Sequence, residues 1–386
     1  MRRDELKQPL RKRGLIERLW QKRPGLLFCA YALASAALGG GAFWVHQQPS
    51  PFAGEPIVIV TIPPAEELQT ASTDPAPEAP PAEQEAVVEP DVASEEIIDE
   101  PVQQQQQASV VVSARRSLIP SPQTNITETT AWGPLPRISG NGDKASKVYA
   151  RSASLNVLHS DAPKIALLLG GMGLNAKLTQ RAIKELPADI TLGFAPYGTN
   201  LQVQVDKARS EGHEVFLQVP LEPVGYPGTN PGPKTLLGDS TEAENMDALR
   251  WHMSRFTGYA GVVNYMGGRF LAMPKALRPM FSELKERGII FLEDGSMALS
   301  STEATGKLAR AQVKRAKVVI DSNPTPQAII AALTLLEEEA TGTGFAVGTG
   351  SGLEVTIDTV RDWAKAAAER GIILVPISAS FKGRTG

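Results

Sequence analysis

Short apolar runs alternate with amphipathic stretches from residue 159 to residue 381. Apolar runs of about four to eight residues are typical of strands that are covered on both faces, as in a parallel sheet. The stretches between the runs predict helices, so this region is expected to form one α/β domain. The predicted strands are Lys164–Leu169, Ile190–Phe194, Glu214–Val219, Gly261–Tyr265, Ile289–Glu293, Lys317–Ile320, Phe345–Gly348 and Ile372–Ile377.

Helix signals between the strands support this alternation. The stretch Lys275–Arg287 places its apolar residues on one face, and Gly288 follows it as an end signal. Thr325 and Pro326 open a later helix in the cap and first-turn positions. A barrel and a doubly wound sheet both fit such a pattern, and the regular spacing of the strands favours the barrel.

The N-terminal part of the chain has a different pattern. Residues 1–25 carry nine Lys or Arg against three acidic residues, whereas residues 26–45 carry no formal charge. About 20 apolar residues are enough to span a bilayer, and basic flanks stay on the cytoplasmic side. We therefore expect a bacterial inner-membrane protein with one transmembrane helix at 26–45 and a periplasmic C-terminal domain. A signal peptide cleaved near Ala34-Ser35-Ala36 is the alternative.

Residues 46–158 predict a disordered linker that is rich in Pro, Glu and Gln. Thirteen acidic residues lie between Glu55 and Glu100, and glutamines fill positions 103–107. Such a composition buries too little apolar surface to offset the entropy of ordering. The folded part lacks a recurring basic helical face, which argues against nucleic acid as a partner. The single cysteine, Cys29, excludes an internal disulfide and a cysteine-based zinc site.

The first strand of the domain runs into a glycine turn that could bind a dinucleotide. Residues 171–176 fit the pattern G-x-G-x-x-A between a strand and a helix. That interpretation needs an acidic residue at the end of the second strand to hold the ribose. The second strand ends in Phe194, Ala195 and Pro196, so the acid is missing. A tight turn that lets the helix pack closely is the favoured interpretation.

Metal-dependent hydrolysis would need His and carboxylate side chains at the C-terminal ends of the strands. None of the four histidines has that position, since His46 and His159 lie outside the strands, His252 lies in a helix and His213 precedes a strand. Polar residues that do follow strands could bind a sugar, or a hard cation through oxygen, or serve only as loop caps. They are Glu222, Asn264, Arg269, Glu293, Asp294 and Asp321.

Several motifs in fixed order resemble the divergent polysaccharide deacetylase family. They are residues 191–197 (TLGFAPY), 213–223 (HEVFLQVPLEP), 230–236 (NPGPKTL), 264–270 (NYMGGRF), 291–294 (FLED), 319–321 (VID) and 375–378 (VPIS). The resemblance spans residues 164–380. It implies a deformed (β/α) barrel of the NodB-like kind at 159–381, in an envelope protein acting on or near glycans.

The family's chemical positions are replaced in this chain. Where the family has an Asp-Asp pair after the first strand, this sequence has Gly170 and Gly171, and Tyr265 and Thr349 stand where the family has histidines. A hydrolase of this type needs a metal-bound water and a carboxylate to take its proton. Glycine offers no ligand, and neutral Tyr and Thr are poor ones.

The leading hypothesis is therefore a glycan-binding or scaffolding module with a degenerate metal site and no cofactor. Glu222, Asn264 and Arg269 are its candidate substrate-binding residues. The alternative is an active metal-dependent carbohydrate deacetylase that uses zinc or another divalent cation with the remaining acids Asp294 and Asp321. A third class, a purely structural partner protein, predicts a cleft filled by its own side chains.

Overall fold

The computed structural model of the protein describes residues 115–381. The predicted basic segment 1–25, the predicted transmembrane helix 26–45 and the predicted linker as far as residue 114 all lie outside these residues. Within 115–381, no helix has both the length and the apolar content needed to cross a membrane.

The described part of the chain has eleven strands and nine α-helices. The strands are β1 (Thr127–Thr130), β2 (Gly133–Pro136), β3 (Lys164–Met172), β4 (Thr191–Phe194), β5 (Val215–Leu221), β6 (Gly261–Met266), β7 (Ile290–Glu293), β8 (Val313–Arg315), β9 (Val318–Val319), β10 (Phe345–Ser351) and β11 (Ile373–Val375). The helices are α1 (Ala145–Val148), α2 (Leu155–His159), α3 (Ala176–Glu185), α4 (Leu201–Ser210), α5 (Glu242–Met253), α6 (Pro274–Glu286), α7 (Thr302–Ala309), α8 (Pro326–Thr343) and α9 (Glu354–Glu369).

Nine of the strands form one parallel sheet that curls on itself. Its order is β8-β7-β6-β5-β4-β3-β10-β9, and β11 pairs with β3 beside β4. The strands at the two ends of this order, β8 and β9, are consecutive in the chain with only Ala316 and Lys317 between them. Because two residues cannot reach across a flat sheet of this width, the two edges lie side by side.

The α/β class predicted from the sequence is confirmed, and the expected deformed barrel is found as a curled parallel sheet. Each of the eight predicted strands is present, with ends that differ by up to three residues. The strand β3 is buried almost throughout, as its continuous apolar run indicates, and it pairs with β4, β10 and β11. The hairpin β1–β2 and strand β8 were not predicted, because their short runs carry many polar residues or prolines.

The prediction of a disordered linker as far as residue 158 is wrong for residues 115–158. This segment contains the β1–β2 hairpin and two short helices, so the folded domain begins before residue 159. Its apolar residues Ile126, Leu135, Ala145 and Tyr149 are buried in the same core as the sheet. They are spaced singly rather than periodically, which is why the sequence pattern gives no helix or strand signal.

The N-terminal segment 115–158 is held to the domain by the buried Arg209 at the end of α4. The Arg209 guanidinium donates to the carbonyls of Tyr149 at 3.0 Å, Gly258 at 2.7 Å and Ile119 at 2.7 Å. Its Cζ atom lies 4.9 Å from the centroid of the Tyr149 ring. Burial lowers the pKa of Arg209 to about 10, so the cation persists at neutral pH.

We expect Arg209→Leu to release the N-terminal segment, because three buried carbonyls lose their donor at once. The free energy of unfolding should fall by about 3 kcal/mol in a urea titration. Limited proteolysis should then cut within residues 115–150 before it cuts the rest of the domain. Arg278→Leu, which removes an exposed arginine of α6, is the matched control and should leave both measurements unchanged. Equal protection of the segment in the two variants would contradict the anchoring role.

Candidate functional site

A cleft of about 600 Å³ opens at the C-terminal ends of β3, β5, β6, β7 and β10. All four positions predicted to have lost the family's chemical groups, Gly170, Gly171, Tyr265 and Thr349, lie along its wall. Two of the predicted polar residues, Asn264 and Asp294, also line it. The other lining residues are mostly apolar, among them Leu168, Leu174, Leu178, Pro196, Tyr197, Pro220, Pro231, Val263, Val319 and Leu353.

The two glycines at the end of β3 are held by the side chain of Gln218 on β5. The backbone N–H of Gly171 donates to Gln218 Oε1 at 2.6 Å. A Cβ atom added at Gly170 would overlap Gln218 Nε2 and would lie 3.0 Å from Gln218 Cδ. Gln218 therefore fills the space that a side chain at position 170 would occupy. Gly171 has open space beside it, but its φ of +79° strains any other residue.

Asn264 and Thr349 connect the strand ends that border the cleft. Asn264 is almost fully buried, its Nδ2 donates to the Met266 carbonyl at 2.7 Å, and its Oδ1 accepts from the Asp294 N–H at 2.8 Å. The Thr349 hydroxyl donates to the Asp294 carbonyl at 2.5 Å. Both side chains thus fix the backbone at the end of β7, and neither has the group needed for proton transfer at neutral pH.

The donor set in the described residues does not fit a zinc ion. Within 115–381, no three His, Cys, Asp or Glu side chains converge as a metal site. His213 precedes β5 as predicted, where its ring nitrogens lie 2.9 Å and 3.0 Å from the carbonyls of Ile190 and Ile183. Burial lowers the pKa of His213 to about 4. No histidine lines the cleft.

Glu222 and Arg269, predicted as substrate-binding residues, do not line the cleft. Instead they hold the long connection between β5 and α5, residues 222–241. The Glu222 carboxylate accepts from Arg269 and from the Gly238 N–H, and Arg269 also pairs with Asp239 at 2.5 Å. The Glu222 side chain is buried and its carboxylate is bonded to other groups of the protein. Glu222 therefore stabilises this connection.

The same connection forms one wall of the cleft through Pro231, and two aromatic residues hold it there. The Tyr197 hydroxyl donates to the Pro233 carbonyl at 2.6 Å, and His252 Nε2 donates to the Lys234 carbonyl at 2.7 Å. The two rings pack edge to face with centroids 6.0 Å apart. Burial lowers the pKa of His252 to about 4 and raises the pKa of the Tyr197 phenol, so both remain neutral. This pair could not be predicted from sequence spacing, because Tyr197 and His252 are distant along the chain.

The two acids of the deacetylase alternative, Asp294 and Asp321, lie in different environments. Asp294 lines the cleft, and its Oδ1 accepts from the Ser296 N–H at 3.0 Å and from the Ser296 hydroxyl at 2.7 Å. Asp321 is buried away from the cleft lining, and its Oδ2 accepts from the Ser351 N–H at 2.7 Å and the Thr356 hydroxyl at 2.9 Å. Asp321 therefore ties the end of β10 to the first turn of α9, whereas Asp294 faces the cleft.

Two relatives of unassigned function resemble this chain. An uncharacterized protein of Haemophilus influenzae is 24% identical over 149 residues, which is 39% of this chain and 51% of that protein. The chain thus matches about half the length of that relative. The crystal structure of an uncharacterized protein from Agrobacterium tumefaciens is 41% identical with a TM-score of 0.61, and the match covers 64% of this chain and 98% of that one.

A peptidoglycan deacetylase from Bacillus subtilis is a remote match, 12% identical with a TM-score of 0.34, covering 57% of this chain and 90% of that one. This likeness is too weak to bear on the site. The sequence profile of the family described as divergent polysaccharide deacetylase matches residues 167–381, which is more than half of the chain. The motifs along the strand ends and this match agree, and the chain belongs to the divergent polysaccharide deacetylase family.

Proposed function

We propose that the cleft binds a glycan of the bacterial cell envelope without metal-dependent hydrolysis. The observation that carries the proposal is the composition of the cleft wall, which has aromatic and apolar residues together with a few polar groups but no metal-ligand set. Small-molecule sites are usually concave and mostly apolar, with a few polar groups that fix orientation. We further propose that residues 26–45 anchor the protein in the inner membrane and that the domain acts in the periplasm.

Two tyrosines give this cleft surfaces suited to sugar rings. Tyr265 is 43% exposed at the end of β6, where it can offer a ring face to a ligand. Tyr197 lies in the same wall and is held by its bond to Pro233. Aromatic side chains combine a large apolar face with a polar tip, which suits a pyranose with its apolar face and hydroxyl rim. A cleft of about 600 Å³ that is open to a ligand also argues against the purely structural alternative.

An assay for acetate release, rather than a binding measurement, tests the deacetylase alternative. Incubation of the full chain and zinc with an N-acetylated hexosamine oligomer should release no acetate, because Gly170, Gly171, Tyr265 and Thr349 supply no imidazole or carboxylate. Acetate release that is lost in Asp294→Asn, together with stoichiometric zinc in the purified protein, would overturn the proposal in favour of the enzyme.

We expect Tyr265→Ala to weaken glycan binding by about tenfold, or about 1.4 kcal/mol, because the exposed ring face is lost. Calorimetric titration of the full chain with hexosamine trimers and with a peptidoglycan disaccharide fragment measures this change. Tyr226→Ala is the matched control, because Tyr226 lies in the 222–241 connection that borders the cleft but does not itself line it. If no glycan of this panel binds the unaltered chain, the proposal fails.

We expect Gly170→Asp to destabilise the domain by about 1–3 kcal/mol, because its side chain overlaps Gln218. The second change Gln218→Ala removes the overlapping atoms, so the double variant should recover part of this loss. Chemical denaturation of the two single variants and the double variant gives the coupling energy.

Gly140→Asp provides the control, since a Cβ atom added there meets nothing within 4 Å. If the changes at 170 and 218 have strictly additive effects on the free energy of unfolding, Gln218 does not occupy the space that a side chain at position 170 would fill.

A further inference from the structure

Asp294 is the one lining residue of the cleft that carries a carboxylate, and no Lys, Arg or His lines the cleft with it. Its hydrogen bonds are to Ser296, a neutral neighbour, and no cation of residues 115–381 forms an ion pair with it. A carboxylate that lacks a counter-ion beside an apolar wall attracts a cation more strongly than one in open water. The cleft therefore favours a ligand with a positive charge and disfavours an anionic one.

Gln218 on β5 supplies a second polar group in the lining of the same cleft. Its side chain is nine-tenths buried and lines the cleft. Its Oε1 accepts from Gly171, whereas Nε2 donates to no atom of the described residues. Because Nε2 is open to the cleft rather than enclosed, a ligand oxygen can accept from it in place of water.

We infer that the cleft prefers an amino sugar whose amine is free and protonated over its N-acetylated form. This inference rests on the glycan binding proposed above. The ammonium group would pair with the Asp294 carboxylate, a ring or hydroxyl oxygen would accept from Gln218 Nε2, and Tyr265 would cover an apolar ring face. The domain then recognises glycan from which acetyl groups have already been removed, and an upstream deacetylation reaction must supply its ligand.

The N-acetylated form of the sugar lacks the positive charge that would pair with the Asp294 carboxylate. Its acetamide is neutral, so the carboxylate would lose water without gaining a counter-ion. An acidic sugar would place a second negative charge near Asp294, which costs further free energy. The lining residues therefore disfavour both the N-acetylated sugar and the acidic sugar, whichever sugar ring carries the amine.

Calorimetric titration of the full chain with a glucosamine trimer and with an N-acetylglucosamine trimer tests the inference. We expect the free-amine trimer to bind at least about tenfold more tightly, equivalent to about 1.4 kcal/mol. Asp294→Asn keeps an oxygen for Ser296 but removes the charge, so it should abolish this preference. Added salt should also reduce the preference in the unaltered chain, because it screens the ion pair.

Asp362→Asn is the matched control, because it removes the same charge from an exposed site on α9 where Asp362 pairs with Arg361. It should retain the preference. Equal binding of the two trimers, or tighter binding of the N-acetylated one, overturns the inference while the proposed glycan binding stands. Failure of both trimers and of the peptidoglycan fragment overturns the proposed function itself. A preference for the free amine that survives Asp294→Asn also overturns the assignment to Asp294.

Discussion

The curled sheet depends on a short segment, residues 313–320, that bonds to two strands at once. Its first half pairs with β7, where the Ala316 N–H donates to the Glu293 carbonyl at 2.8 Å. Its second half pairs with β10, where the Lys317 N–H donates to the Val347 carbonyl at 2.7 Å. Without this segment, β7 and β10 would be unpaired sheet edges, which expose backbone groups and invite wrong pairing. The Thr349–Asp294 hydrogen bond joins the same two strands at the cleft, so the closure of the sheet also sets the position of Asp294.

The two glycines at the end of β3 leave no void beside Gly170, because Gln218 fills that space. Gln218 brings an amide to the place that a side chain at 170 would take, and it holds the Gly171 backbone. An amide offers hydrogen bonds but does not accept a proton at neutral pH, so this part of the cleft is polar without a carboxylate. The connection 222–241 is anchored by Arg269, which pairs with both Glu222 and Asp239. Ion pairs therefore hold the loop that borders the cleft, whereas an amide and backbone groups hold the end of β3.

The strands could be predicted from the sequence because each contains a short apolar run, and Gly170, Gly171, Tyr265 and Thr349, which follow from the positions of those runs, line the cleft. Gln218 could not be identified in this way, because its role depends on contact between β3 and β5 rather than on spacing. Glu222 and Arg269 were predicted as ligand-binding residues because they follow strands, yet their partners are in loops. The segment 115–158 was missed because Ile126 and Leu135 are isolated in sequence and meet the core only after the chain has folded.

Arg115, the first described residue, fastens the chain to the end of α3 that lies away from the cleft. Its guanidinium donates to the carbonyls of Ile183 at 2.9 Å and Leu186 at 3.0 Å, at the C-terminal end of α3. The opposite end of this helix borders the cleft at Asn175 and Leu178, about 15 Å away along ten residues of helix. Residue 115 and the cleft therefore lie at opposite ends of α3.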